Sequence, residues 1–452
     1  MTVSKRWIVM AAAMMMLAAG TLSAFACGGY GDNPAAMDAA SEDAALAAAA
    51  IDALRADGAR GLATLFAHHQ ELIDAKARGE IAQEHPKWQR LEAAIDAVGG
   101  QKNCLASRLF WHTDLEAAKA ESARIGKPIL SLRLLGKLTD ELSCANSRFF
   151  RSTLYANAEV GAMLREKFVL HWQSVRPVPV VTIDFGDGRV LRRTVTGNSI
   201  HYVLDAEGRV LDALPGLYGP AAFLRGLGDA STLADTVKSK HGAERESAVR
   251  QYHEARGRAI DDRLIAELRQ LVTELPAGGA AAIDDETWVR LAEIHRDDAS
   301  LDAASVELIR RQQQSSMTPF GLMAQPLPMG VAPAANTPAA ARALPAEFAG
   351  QIAIGKGIAE DPILRLVRSF ESSIALDTVR NEFLLHRTIH EWLAARDVPP
   401  VDQLNARVYA ELFLTPDSDP WLGLAPTDTY TALDRGGVVM QEWRHRLPLN
   451  AR

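Results

Sequence analysis

Only three cysteines occur in 452 residues, too few for a disulfide scaffold. Positive charge is also short: 49 Lys and Arg face 56 Asp and Glu, giving a formal net charge of -7. A basic footprint is missing, so no nucleic-acid partner is expected. After residue 26, no run is long and apolar enough to cross a bilayer. No internal repeat is evident. The stretch "AIGKGIAED" lacks the spacing of a phosphate-binding loop. Asp184-Phe185-Gly186 matches a kinase triplet but stands in a hairpin pattern, without the glycine-rich and catalytic loops that kinase chemistry needs. No nucleophilic-serine elbow is present, and no cofactor is expected.

What is present begins at the N-terminus. Lys5 and Arg6 precede Trp7 to Ala26, a run without charge that ends in Ala24-Phe25-Ala26. A basic start, an apolar stretch and a small-x-small ending describe a signal peptide, so residues 1–26 are expected to be removed on export. The alternative is a retained membrane anchor, since the run is just long enough to span. Cys27 follows directly, and the stretch resembles a bacterial lipoprotein cleavage box with Ala24 where leucine is usual. That resemblance implies a lipid on Cys27, against a free soluble N-terminus. The expected location is the bacterial periplasm, or the membrane surface through that lipid alone. A protein partner in the cell envelope is the partner class this location implies. The oligomeric state is not legible.

The rest has the composition of an ordinary globular protein, 48% hydrophobic and 23% charged, and enough length for two or three domains. Residues 27–44 read as a polar tether. From 45 to 108 the pattern is helical, with Gly58 and Gly61 as breaks and His68 and His69 as surface histidines. From 109 to 228 helices and strands alternate. Thr113 and Gly126 bound a helix; "KPILSLRLLG" and "KFVLHWQSV" read as strands. A hairpin turns at Gly186-Asp187-Gly188, and another strand pair turns at Asp205 to Gly208. Residues 229–314 are helical again. Residues 315–344, rich in Pro, Ala and Met, form a linker or arm whose methionines are expected to pack rather than bind soft metals. Residues 345–452 are helical and then loop-rich.

The order of elements in 109–228 resembles the thioredoxin superfamily. Its carriers are Trp111, "DLEAAKAESARIGKPIL", the helix at Cys144, "NAEVGAMLREKFVL" and "SIHYVLDAEGRVLDALPG". The resemblance implies an α/β thioredoxin-like sandwich domain embedded in a mainly α-helical multidomain chain. It places Cys144 at the attacking cysteine and Ser147 at the resolving one. Ser143 stands where an aromatic residue is usual, and Ser199 occupies the cis-proline position. A non-proline cis bond costs about 3 kcal/mol, so Ser199 is expected to be trans, altering the usual peptide-docking edge. The hairpin at 178–196 reads as an insertion. A helix N-terminus favours a thiolate, yet Ser147 cannot close a disulfide with Cys144; its role is to donate a hydrogen bond to the sulfur.

Three fates for Cys144 stay open: a structural bridge to Cys104, an unpaired inert thiol, or a reactive monothiol. The bridge would close a loop of about 40 residues, worth roughly 3–4 kcal/mol on the chain-entropy model. Elsewhere, Glu382, His386 and His390 stand four residues apart on one helical face, a spacing that permits joint metal ligation. No third ligand set is evident, so no metal is expected. The leading function is binding or structural work in the envelope; the alternative is a monothiol oxidoreductase or isomerase using Cys144.

Overall fold

The structure is a computed structural model that describes residues 33–194, 196–316, 362–416, 418–419 and 432–433. The leader, Cys27 and residues 317–344 of the linker lie outside the described residues. From Pro34 the expected tether is already helical. Six helices follow one another: α1 (Pro34–Asp38), α2 (Ala44–Ala56), α3 (Ala59–His68), α4 (Gln70–Ala77), α5 (Pro86–Gly99) and α6 (Cys104–Ser107). Asp43 caps α2 by accepting the Ala45 and Leu46 N–H groups. Gly58, at φ 68°, separates α2 from α3 as expected. Gly61 does not break the helix. It lies inside α3, where a Cβ would stand 2.0 Å from the Leu54 carbonyl oxygen, so only glycine lets α2 and α3 approach this closely. His69 is also not a surface residue. It is buried, and its Nε2 donates to the Ala36 carbonyl at 2.9 Å, tying α1 down; His68 is exposed. Leu54, Leu65, Trp88, Leu91, Ile95 and Val98 form a core of their own here, together with Cys104.

A second core surrounds the sheet. Helix α7 (Leu115–Ile125) is capped by Asp114, whose side chain accepts the Ala117 N–H, rather than by Thr113; Gly126 ends it. Strand β1 (Ile129–Leu135) is buried at every residue, which is why it reads as a near-continuous apolar run. Then come α8 (Ala145–Phe149), a π-helical turn (Phe150–Leu154), α9 (Ala158–Lys167) and β2 (Val169–Arg176). Strands β3 (Val180–Asp184) and β4 (Val190–Thr194) form a separate hairpin. Strands β5 (Ser199–Leu204) and β6 (Val210–Pro215) complete the main sheet, whose order is β2-β1-β5-β6. β1 and β2 are parallel, with Ile129 beside Val169; β5 runs antiparallel to β1, with Ile129 beside Leu204; β6 runs antiparallel to β5.

Helix α10 (Pro220–Val237) crosses residue 228 without interruption. It is followed by α11 (Gly242–Leu271), α12 (Asp285–Ile294) and α13 (Ala303–Ser316). The chain resumes with α14 (Pro362–Arg380), which passes through a π-helical turn (Asn381–His386) into α15 (Arg387–Leu393). α16 (Val401–Arg407) also ends in a π turn (Val408–Leu412). These late helices share the sheet's core: Ile374, Phe383, Ile389 and Leu404 belong to one apolar cluster with β1, β5 and β6. Polar ties agree, with the Gly219 N–H donating to Thr378 at 2.8 Å and Asn381 donating to the Leu217 carbonyl at 2.7 Å. The architecture is mainly helical, with one small mixed sheet and a hairpin. No described helix is long and apolar enough to cross a membrane.

Candidate functional site

Cys144 is the N-cap of α8, immediately past the loop that leaves β1. Its sulfur accepts the Ser147 backbone N–H at 3.4 Å. The Ser147 hydroxyl goes elsewhere, donating to Ser143 Oγ at 2.8 Å, so the expected hydroxyl–sulfur bond is replaced by a backbone one. The peptide before Ser199 is trans, as expected. Ser199 Oγ accepts from Asn146 at 2.9 Å, which ties the start of β5 to the Cys144 turn. Cys144, Ser147 and Ser199 are thus brought together, and all three have 0% exposure. Burial pushes the Cys144 thiol above its ordinary range, against the lowering pull of the Ser147 and Leu135 N–H groups. A neutral, enclosed thiol is a poor nucleophile.

The expected Cys104–Cys144 bridge is not formed, and both residues are free and buried. The physical reason is that each thiol belongs to a different core, Cys104 to the N-terminal helices and Cys144 to the sheet. Cys104 Sγ donates to the Leu109 carbonyl at 3.5 Å instead. Burial, with Asp96 beside it, raises the Cys104 thiol far above its usual range.

The loop before β5, next to Ser199, is held by the chain's late segment. Tyr409 donates its hydroxyl to the Asn198 carbonyl at 3.0 Å. Asn198 in turn donates to Thr415 Oγ1 at 3.2 Å, and Arg176 donates to the Thr415 carbonyl at 2.8 Å.

A second cluster of chemistry-bearing residues lies where β6, α11 and the late helix meet. Asp212 on β6 is 1% exposed, and His253, His386 and His390 are buried around it. Asp212 Oδ2 accepts the Tyr252 hydroxyl at 2.8 Å; Oδ1 accepts the Ala213 N–H at 2.8 Å and faces His386 Nε2 at 3.3 Å. His386 Nδ1 meets Glu382 at 3.1 Å, and Glu382 accepts from Arg263 at 2.9 Å. His390 Nδ1 lies 3.9 Å from Asp212 Oδ1 and 2.8 Å from His253 Nδ1. His253 Nε2 donates to the Leu211 carbonyl at 2.9 Å. Burial alone would lower the His386 pKa, but its bonds to Asp212 and Glu382 raise it to about 9. Burial, and then the charge on His386, drive His390 down to about 2. Burial opposes ionisation of Asp212, yet His390, His386 and His253 hold its carboxyl below the usual range.

Donor atoms of Asp212, His386 and His390 all lie within 4.8 Å of one another, the group among the described residues best placed to hold a metal ion. The spacing of Glu382, His386 and His390 was visible in the sequence, but the roles differ. Glu382 backs His386, and the third donor is Asp212, 174 residues away. No local signal marks Asp212; only the sheet places it there. A cavity of about 110 Å³ adjoins the cluster, lined in part by Arg263, Glu382, Arg225 and His295. Its cations are already paired, Arg225 with Asp298 at 2.6 Å and Arg256 with Asp229 at 2.8 Å. Comparison of the chain with protein-family models, curated proteins and solved structures finds no match, so both sites are read from their own geometry.

Proposed function

We propose that this chain is an exported cell-envelope protein with a binding or scaffolding role, built on a thioredoxin-like core that no longer performs thiol chemistry. The observation that carries the reading is the 0% exposure of Cys144, with its sulfur turned onto the Ser147 N–H. The thioredoxin-like part is supported by the sheet order and by Cys144 capping the helix that follows β1. In that family an extended substrate docks at the loop before the third strand of the core. Here that loop, Asn198-Ser199, is held by Tyr409 and Thr415 of the same chain. The β3–β4 hairpin leaves Val180, Val181, Ile183, Phe185 and Val190 exposed, an apolar surface that suits a protein partner. Export rests on the leader at 1–26.

The contrasting reading, a monothiol oxidoreductase, has one favourable feature: Cys144 sits at a helix N-terminus. It needs an accessible sulfur with a lowered pKa, and burial acts in the opposite direction. Reduction of insulin disulfides with a coupled reductant separates the two. Wild type is expected to be inactive. Robust turnover that disappears in Cys144→Ser would establish the oxidoreductase instead.

A further inference from the structure

We propose that Asp212, His386 and His390 form a binding site for a divalent transition-metal ion, best suited to zinc. The inference is independent of the thiol site. One carboxylate and two imidazoles are a donor set that Zn²⁺ takes readily, with His386 giving up its Nε2 proton as the ion enters. Tetrahedral zinc with bonds of about 2.0–2.1 Å needs donors about 3.3 Å apart. Asp212 stands 3.3 Å from His386 and 3.9 Å from His390, close to this value. His253 stands outside this set and meets His390 instead, so a water would complete the tetrahedron.

The surroundings are arranged as they are around bound metals. A ligating histidine is normally held through its other nitrogen by a carboxylate or a carbonyl. His386 is held in this way by Glu382, itself backed by Arg263. His253 is held by the Leu211 carbonyl. A carbonyl only accepts, so the His253 proton is on Nε2 and its Nδ1 carries a lone pair, aimed at His390. Asp212 is fixed by the Ala213 N–H and the Tyr252 hydroxyl. His390 is different. Its Nε2 is buried with no partner, so this ring lacks a second tether and can turn either nitrogen towards an ion.

Backbone geometry favours the same reading. His386 ends a π-helical turn, and such turns concentrate at functional sites. The turn leads directly into α15, and the His386 and His390 rings lie 4.2 Å apart, one above the other. The donors come from β6 and the late helix, so a bound ion would tie strand to helix, with His253 of α11 backing His390. The adjoining cavity, where Glu382 and Arg263 stand, offers a route from solvent.

The test uses the purified full chain, stripped with chelator and returned to zinc-free buffer. Calorimetric titration with zinc is expected to give one ion per chain, with a melting temperature that rises with zinc concentration. Cobalt(II) is expected to give the visible absorption of a four-coordinate nitrogen–oxygen site. His390→Gln should abolish that absorption and weaken zinc binding at least a hundredfold. Glu382→Gln, which leaves every donor in place, should weaken it about tenfold to a hundredfold. Circular dichroism confirms that each variant is folded; if His390→Gln is not, His386→Gln replaces it. Absence of stoichiometric zinc on folded wild type would overturn the proposal, because protons alone would then close the cluster. Unchanged binding in both folded variants would overturn it equally, by placing the ion elsewhere.

Discussion

Replacing His295 with glutamine should remove a pH-dependent part of the stability. His295 bridges two carboxylates, with Nε2 2.9 Å from Glu267 and Nδ1 3.1 Å from Asp298. Those bonds, first to Asp298 and then to Glu267, outweigh burial and raise its pKa to about 9. In the unfolded chain a histidine titrates near 6.5. The gap of about 2.5 units corresponds to roughly 3 kcal/mol. The side chain is 15% exposed, so solvent screening takes little of this away. A raised pKa means the folded state binds the proton more tightly. The contribution is therefore complete below about pH 6.5 and disappears as pH rises through 9. Arg225 grips both oxygens of Asp298 at 2.6 Å, so loss of the imidazolium does not strand that carboxylate. Glutamine can still donate a hydrogen bond but cannot take up the proton. Urea unfolding at pH 6, 7.5, 9 and 10 is the assay. His295→Gln should be about 2–3 kcal/mol less stable than wild type at pH 6, and within about 1 kcal/mol of it at pH 10. A difference that stays constant across this range would refute the reasoning.

Gly61→Ala should cost at least about 2 kcal/mol, because its Cβ would stand 2.0 Å from a backbone oxygen that cannot move without separating α2 from α3; thermal unfolding of the variant measures this. In native protein, Cys104 and Cys144 should resist a disulfide-exchange reagent and react only in denaturant. Tyr409→Phe should leave that pattern intact while costing about 1 kcal/mol, the worth of its bond to the Asn198 carbonyl. Tyr409→Ala should speed modification of Cys144 more than that of Cys104, which belongs to the other core.

Local chemistry made the middle segment legible. Strand β1 is an apolar run, Asn157 caps α9, and the Asp205 side chain accepts from Glu207 and Arg209 to build the turn before β6. Cap identity was less visible: Thr113 and Asp114 are both good capping residues, and only the orientation of α7 decides between them. Gly61 looked like a break because a glycine that permits a helix crossing is written the same way as one that ends a helix. His69 looked exposed because its partner is a carbonyl 33 residues earlier. The cysteine pairing failed for a related reason. Counting cysteines reveals who is left over, not which side of a core each one faces. Spacing exposed Glu382, His386 and His390 as one face of a helix, but assigning their roles needed Asp212, which comes from the sheet.

The position of Asp212 also sets an order in time. β6 is the last strand of the main sheet and lies at its edge. The histidine that meets Asp212 is 174 residues further along the chain. Contacts this distant in sequence close late, because the intervening chain must be ordered first. Until then Asp212 has the nearby Tyr252 hydroxyl but neither His386 nor His390. The α14–α15 helix therefore acts as a late lock on β6, and a chain that stops before α14 would leave Asp212 without its two histidines.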